Sequence, residues 1–265
     1  MKSLGLLTAI LCMAPGVIAQ DLSLKRLEDS PRHHEWIEVK RDERTIDCFV
    51  VYPEKPDNTT AVMIIHENRG LTAWVRSFAD QIAEAGYLAI APDLLSDFDE
   101  NHANTASFKS SDDARNAIYQ LDPGTVTEDL LAVLEYAKTA PSSNGRVAVA
   151  GFCWGGSQCF RLATNSQNMQ AAMVFYGSAP TEKNEIAQIE TPVYGFYGGN
   201  DQRINEGIPS TQSMMEEAGK VYEYVIYPGA GHAYMRRGED PDGSEENRSA
   251  RDASWERLKK ILEAL

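Results

Sequence analysis

Basic residues and cysteines are both scarce in this chain of 265 residues. It has 25 Lys and Arg against 39 Asp and Glu, a formal net charge of −14, and no stretch in which the basic residues concentrate. Such a surface repels phosphate backbones and anionic membranes, so we expect no nucleic acid partner. With 43% apolar and 24% charged residues, and no internal repeat, the composition is that of a soluble globular protein rather than a disordered, collagen-like or polytopic membrane protein.

Long hydrophobic runs are missing except at the N-terminus. Residues 4–17 carry no charge, follow Lys2, and lead to Ala19 with Gln20 after it. This is the pattern of a secretory signal peptide cleaved after Ala19, and the run is short for a membrane span. We therefore expect residues 1–19 to be a signal peptide and residues 20–265 a single exported domain, periplasmic or secreted and not membrane-bound. A lipoprotein anchor at Cys12 and a buried N-terminal helix are the alternatives.

Cleavage of the signal peptide would leave three cysteines: Cys48, Cys153 and Cys159. An odd number in an exported domain does not make a disulfide framework and predicts at least one free thiol. No Cys-x-x-Cys pair is present. One of these thiols therefore calls for a chemical explanation.

Strand and helix signals alternate along about 200 residues, and this alternation predicts the fold class. Short apolar runs predict buried strands at residues 61–65, 87–91, 147–150, 171–176, 193–197 and 222–227. Apolar residues at helical spacing predict helices at residues 75–86, 130–140, 155–164, 209–218 and 250–265. The result is an α/β fold, a mostly parallel, doubly wound sheet with helices on both faces. Residues 36–39 and 45–52 could add antiparallel edge strands, and the polar segment 96–120 could cover the top of the sheet.

Cys153 stands where a strand gives way to a helix, within Gly151-Phe-Cys-Trp-Gly-Gly156. A nucleophile held in such a strained turn needs small neighbours, and the N-terminus of the following helix favours the thiolate. An isolated cysteine after a strand is usually just a small buried residue. The flanking glycines favour the nucleophile instead, whereas Cys48 and Cys159 keep the structural interpretation.

Two later strand ends carry an acid and a base. Gly198-Gly199-Asn200-Asp201 follows one predicted strand, and Pro228-Gly-Ala-Gly-His232 follows the next. In a parallel sheet the carboxyl ends of the strands share one edge, where ligands bind. Each residue alone could be an ordinary loop residue. Together with Cys153 they predict a nucleophile, an acid and a histidine, in which His232 takes the thiol proton and Asp201 fixes the ring tautomer.

The chain resembles the dienelactone hydrolases, a thiol branch of the α/β-hydrolase fold, from about residue 61 to the C-terminus. The matching motifs are His66-Glu67-Asn68-Arg69-Gly70, Asn144-Gly145-Arg146, Gly151-Phe-Cys-Trp-Gly-Gly156, Tyr176-Gly177, Asp201 and Gly231-His232. The resemblance implies a catalytic triad of Cys153, Asp201 and His232. It also implies an oxyanion hole made by the backbone amides of Asn68 and Trp154, and two such donors stabilise an acyl-transfer transition state strongly.

The resemblance assigns further roles around the thiol. Glu67 matches the family carboxylate that holds the resting thiol until substrate displaces it. The alternative is that Glu67 is an ordinary exposed residue at the end of a strand. His66 and Arg69 depart from the best-known members of the family. Arg115, Tyr119 and Arg236 fall where the family grips a substrate carboxylate, although Arg115 lies in a polar segment and Arg237 could replace Arg236.

The sequence thus predicts a carboxylic ester hydrolase that cleaves a small ester or lactone, bearing a carboxylate, through a Cys153 thioester. The alternatives are a general carboxylesterase or other acyl hydrolase on the same scaffold, and a non-catalytic or redox thiol protein. We expect no metal or organic cofactor, because none of His33, His34 and His102 has a second ligand at metal spacing. These three histidines are expected to lie on the solvated surface. The expected partner is the small-molecule substrate, and the expected state is a monomer.

Overall fold

The computed structural model describes residues 15–55 and 57–265, with side chains from residue 22 onward. Eight strands form one sheet in the order β1-β2-β4-β3-β5-β6-β7-β8. β1 and β2 pair antiparallel with their neighbours, and all pairs from β4 to β8 are parallel. The strands are β1 His34–Arg41, β2 Arg44–Val51, β3 Thr59–Ile65, β4 Leu88–Pro92, β5 Ser143–Phe152, β6 Ala171–Phe175, β7 Val193–Gly198 and β8 Tyr222–Tyr227.

Helices cover both faces of the sheet, so the predicted α/β fold class is confirmed. Side chains alternate along each strand, and on β3 Val62 and Ile64 face the helices α2 and α10 while Met63 and Ile65 face α4 and α5. The helices are α1 Pro15–Asp29, α2 Ala73–Glu84, α3 Ser111–Ile118, α4 Pro123–Thr139, α5 Trp154–Asn165, α6 Lys183–Ile186, α7 Gln202–Asn205, α8 Ile208–Glu217, α9 Tyr234–Arg237 and α10 Glu245–Glu263.

The segment 96–120, expected as a polar excursion, contains α3, a helix that the sequence did not predict and that buries Ala114, Ala117 and Ile118. One sequence expectation was wrong in detail. The run that forms β8 is not a fully buried strand: it is the last strand of the sheet, and all of its side chains except Tyr227 are partly or largely exposed.

His34 is also not simply solvated, as the sequence had suggested. Its Nε2 lies 2.9 Å from Oδ1 of the fully buried Asp80 on α2. Ser30 donates to the same oxygen over 2.6 Å, and Arg32 forms two hydrogen bonds to the carboxylate at 2.9 and 2.7 Å. This Asp80 cluster ties the segment before β1 to the helix layer.

The first 14 residues of the predicted signal peptide lie outside the described residues, and residues 15–19 belong to α1. Over the described ranges, no helix has the length and apolarity required to cross a bilayer. The parallel strands all end on the same edge of the sheet. The segments that follow β3, β5, β7 and β8 at this edge carry the predicted catalytic residues.

Candidate active site

Cys153 sits in a sharp turn between β5 and α5. Its backbone has φ 56° and ψ −116°, a region that non-glycine residues rarely adopt, and its N–H donates to the carbonyl of Phe175 on β6 over 3.0 Å. Such a conformation costs about 1 to 3 kcal/mol and persists only where the surroundings impose it. The turn holds the thiol half-exposed above the sheet edge, at the N-terminus of α5.

The glycines around Cys153 are required by close backbone contacts. A Cβ atom on Gly151 would lie 2.1 Å from the carbonyl oxygen of Gly155, and one on Gly155 would lie 2.3 Å from that of His66. Real Cβ atoms do not approach backbone oxygens so closely. A side chain at either position would therefore force a backbone segment to move, which agrees with the role predicted for these glycines.

His232 connects the thiol to a buried carboxylate. Its Nε2 lies 3.1 Å from Sγ of Cys153, and its Nδ1 lies 2.5 Å from Oδ2 of Asp201, whose side chain is buried. The loops after β7 and β8 are tied together, because Asn200 N–H donates to the Ala230 carbonyl over 2.8 Å. The three residues predicted from three strand ends thus come together as one chain of contacts.

The surroundings of His232 favour its charged form. Burial by itself lowers the pKa of the imidazolium, but the hydrogen bonds to Asp201 and Cys153 and the charges of both outweigh it and raise the pKa to about 9. A protonated ring whose Nε2 lies 3.1 Å from Sγ of Cys153 holds a proton that it can donate to a leaving group.

The backbone amides of Trp154 and Asn68 lie on adjoining elements. Trp154 is the first residue of α5, where N–H groups have no acceptor in their own helix. Asn68 follows β3 and lies outside regular structure, and in the described chain its N–H meets no backbone acceptor. The contact between Gly155 and the His66 carbonyl brings these two segments together. Within residues 15–55 and 57–265, neither N–H has a hydrogen-bond acceptor.

Glu67 is paired with Arg236. Arg236 donates from Nε to Oε2 of Glu67 over 2.9 Å; the Glu67 side chain is largely buried, and that of Arg236 is partly exposed. The Glu67 charge, partly opposed by burial, raises the pKa of Arg236. Arg237 is exposed, so Arg236 is the arginine that points inward. Glu67 forms no hydrogen bond to Cys153 in the described structure, where the thiol contacts His232 instead.

Arg115 and Tyr119 lie on and just after α3. The Tyr119 side chain is 60% exposed, and its hydroxyl accepts a hydrogen bond from Nδ2 of Asn68 over 3.1 Å, which places it beside an oxyanion donor. Arg115 is exposed one turn earlier, and its guanidinium makes no hydrogen bond or ion pair with the part of the chain described. The structure therefore connects Tyr119 to the site directly and leaves Arg115 on the helix surface.

Two residues near the thiol were not assigned a role from the sequence. His66, noted only as a departure from the family, is fully buried, and burial lowers its pKa. Tyr176 has φ 41° and packs its ring edge-on against His232 at 5.2 Å between centroids. The family-like Tyr176-Gly177 pair was the only sequence signal for it. The positions of His66 and Tyr176 in the site depend on contacts with distant segments of the chain, which sequence spacing does not reveal.

The other thiols are structural. Cys48 and Cys159 are fully buried, and burial raises the pKa of both thiols strongly. All three cysteines of the described chain are free. The odd number of cysteines had predicted at least one free thiol. Within residues 15–55 and 57–265, no group of three or more His, Cys, Asp or Glu side chains is placed to hold a metal ion.

The sequence pattern described as the dienelactone hydrolase family matches residues 46–265. The chain belongs to the dienelactone hydrolase family. A Saccharolobus solfataricus protein, provisionally named a carboxymethylenebutenolidase, is 31% identical over 253 residues, which cover 83% of this chain and 95% of the relative. Carboxymethylenebutenolidase 1 of Cupriavidus pinatubonensis is 30% identical over 195 residues, 71% of this chain and 81% of the relative.

Solved structures agree on the fold. The dienelactone hydrolase from Anabaena variabilis superposes with a TM-score of 0.63 at 18% identity, over 84% of this chain and 96% of that one. A dienelactone hydrolase-like promiscuous phosphotriesterase from metagenomic libraries superposes with a TM-score of 0.75 at 20% identity, over 88% of this chain and 98% of that one. The family and its named relatives identify the protein as a dienelactone hydrolase-like enzyme with the α/β-hydrolase fold.

Proposed function

We propose that this hydrolase cleaves a small ester or lactone that carries a carboxylate, through a thioester on Cys153. The observation that carries the proposal is the continuous set of contacts from Sγ of Cys153 to His232 and from His232 to Asp201. A nucleophile, a base and a group that orients the base are what covalent acyl transfer requires.

In the acylation step the Cys153 thiolate attacks the carbonyl carbon of the substrate. The carbonyl oxygen becomes an oxyanion that accepts hydrogen bonds from the backbone N–H groups of Asn68 and Trp154. When the tetrahedral intermediate collapses, the carbon–oxygen bond to the leaving group breaks and His232 gives its proton to the departing alkoxide. In a lactone the leaving alkoxide stays attached to the acyl group, because the ring opens.

In the deacylation step water attacks the thioester. Neutral His232 now accepts a proton from the water through Nε2, while Asp201 stabilises the imidazolium that forms. The same two amides hold the second oxyanion. Collapse breaks the carbon–sulfur bond, and the products are the free acid and the thiolate–imidazolium pair of the starting enzyme.

The ion pair between Glu67 and Arg236 supports a carboxylate-bearing substrate. Arg236 is charged at any pH at which the protein is folded, and removing its partner would leave a partly buried charge unpaired. A carboxylate is the group that can replace Glu67 on the guanidinium without leaving it unpaired. The family resemblance assigns the released Glu67 carboxylate to a position beside Cys153.

Arg115 and Tyr119 form the other side of the proposed carboxylate site. The Tyr119 hydroxyl accepts from Asn68 and so keeps its own proton for a substrate oxygen. Arg115 is one turn earlier on α3 and is free to reach a ligand from the surface. We further propose export of the mature chain, in line with the signal-like residues 1–19, and the monomer as its working state.

A matched pair of esters tests the substrate class. The mono-p-nitrophenyl ester of glutaric acid and p-nitrophenyl pentanoate have similar acyl length but differ in a carboxylate. We expect the purified enzyme to prefer the acidic ester in kcat/KM. Arg236→Met should remove that preference, raising KM for the acidic ester about tenfold to hundredfold, whereas Arg237→Met, at the exposed neighbour, should leave it intact. Equal cleavage of both esters, with Arg236→Met affecting both alike, would favour a general carboxylesterase.

A further inference from the structure

His66 lies between the two segments that carry the oxyanion donors. Its ring is fully buried and stacks on the ring of Trp154, with centroids 5.6 Å apart and an interplanar angle of 15°. Its own carbonyl oxygen is the nearest of the backbone atoms that exclude a side chain at Gly155. One residue thus touches both the strand-end segment that contains Asn68 and the first turn of α5.

The hydrogen bonds of His66 fix its tautomer. The backbone N–H of Leu94 donates to Nε2 over 3.2 Å, so Nε2 carries no proton. In a neutral imidazole the proton is then on Nδ1, which lies 2.8 Å from the carbonyl oxygen of Glu67 and donates to it. The ring therefore bridges two backbone groups that belong to different segments of the chain.

The carbonyl that His66 holds shares a peptide unit with the N–H of Asn68. Peptide units are planar, and this one is trans, so the Glu67 carbonyl and the Asn68 N–H point in opposite directions. Fixing one end of the unit fixes the other. A hydrogen bond accepted by the carbonyl also polarises the unit and makes its N–H a stronger donor.

We propose that His66 is a positioning residue of the oxyanion hole: its Nδ1–H holds the Glu67–Asn68 peptide with the Asn68 N–H directed at the reacting carbonyl. Its ring, stacked on Trp154, sets the spacing between the two donors. This inference rests on the proposed function, because it assigns the oxyanion role to these amides. It predicts a defect confined to steps that form an oxyanion.

Two variants separate the hydrogen bonds from the space that the ring fills. His66→Phe keeps an aromatic ring beside Trp154 but can neither donate to Glu67 nor accept from Leu94. We expect kcat for both the acidic and the neutral ester to fall about tenfold to hundredfold, with KM little changed. His66→Gln, whose amide offers one donor and one acceptor, should recover most of that loss. His33→Phe, at a largely exposed histidine, is the matched control.

Two reagents distinguish an oxyanion defect from a damaged nucleophile. A trifluoromethyl ketone forms a tetrahedral oxyanion adduct with Cys153, and we expect its affinity for His66→Phe to fall by the same factor as kcat/KM. Iodoacetamide alkylates the thiolate without forming an oxyanion, and its rate should stay within about twofold of wild type. Equal loss in both reactions, or no loss in either, would overturn the role given to His66.

A measurement on the wild-type enzyme covers the case in which His66→Phe does not fold. Nitrogen NMR of enzyme labelled at histidine should show Nδ1 of His66 protonated and Nε2 unprotonated at the pH of the assay. The opposite tautomer would overturn the inference. The tautomer that the NMR measurement finds does not depend on the thioester mechanism. If Cys153→Ala kept full activity, the proposed function would be wrong, but the tautomer observed for His66 would be unaffected.

Discussion

Nδ1 of His232 lies 2.5 Å from Oδ2 of Asp201, a contact between residues 31 positions apart in the chain. It directs the other ring nitrogen at Cys153 and helps to raise the pKa of His232 to about 9 in spite of burial. The acid therefore controls both the direction of the ring and its charge. The effects on ring direction and on ring charge can both be measured in a variant at position 201.

Replacing the acid should lower the His232 pKa and the activity together. In Asp201→Asn the side chain keeps its shape but loses its negative charge, so the pKa of His232 should fall well below about 9 and the ring should be neutral at a lower pH. The orientation of the ring is lost as well, and kcat/KM should drop on the order of 10³ or more. NMR titration of the His232 ring protons measures the first effect, and ester hydrolysis the second. A ring that still titrates near pH 9 in this variant would contradict the assignment.

The Asp80 cluster should contribute to stability but not to catalysis. Burial opposes the ionised Asp80, yet hydrogen bonds from Arg32, Ser30 and His34 outweigh it and lower the carboxyl pKa. Asp80→Asn would leave the largely buried Arg32 with only the exposed Glu54, 3.7 Å away, as an ion-pair partner, and we expect a loss of about 2 to 4 kcal/mol in the free energy of unfolding at pH 7.

The same cluster predicts a pH dependence. A depressed folded-state pKa stabilises the protein above the unfolded value of about 3.9 and stops doing so as pH falls through the folded value. The difference between wild type and Asp80→Asn in urea unfolding should therefore shrink in acid. Asp112→Asn, at the exposed first turn of α3, is the control and should change little. A constant difference across the acid range would argue against an ionised, paired Asp80.

Gly155→Ala tests the close approach of α5 to the end of β3. The added methyl group would lie 2.3 Å from the His66 carbonyl oxygen and 2.5 Å from that of Ile65, so one segment must move. We expect a loss of about 1 to 3 kcal/mol in the free energy of unfolding and a lower kcat, since the oxyanion donors are displaced from each other. Gly207→Ala, whose nearest contact is 3.6 Å, should stay within about 0.5 kcal/mol of wild type. If Gly155→Ala folds and its kcat is unchanged, the close contact between α5 and the end of β3 does not contribute to catalysis.

Sequence patterns predicted the triad because each member follows a strand with a local signature. The apolar runs of β5, β7 and β8 and the glycines after them are visible within a few residues. The parallel arrangement then places all three ends on one edge. Nothing in this inference needed contacts between distant side chains.

The parts that sequence did not predict depend on long-range pairing. Glu67 and Arg236 are 169 positions apart, and no local pattern shows that they form an ion pair. The role of His66 depends on the backbone N–H of Leu94, two residues beyond the end of β4. Helix α3 was not predicted because most of its residues are polar: Ala114, Ala117 and Ile118 lie at helical spacing, but they are the only buried residues of this helix.

The central claim is that the acyl group passes through Cys153. Intact-mass analysis of enzyme quenched during turnover of an activated ester, followed by peptide mapping, tests it most directly. The account predicts a mass gain equal to the acyl group on the peptide that contains Cys153, and neither mass gain nor turnover in a folded Cys153→Ala variant. Turnover by Cys153→Ala at the wild-type rate, or an acyl group found on another residue, would contradict it.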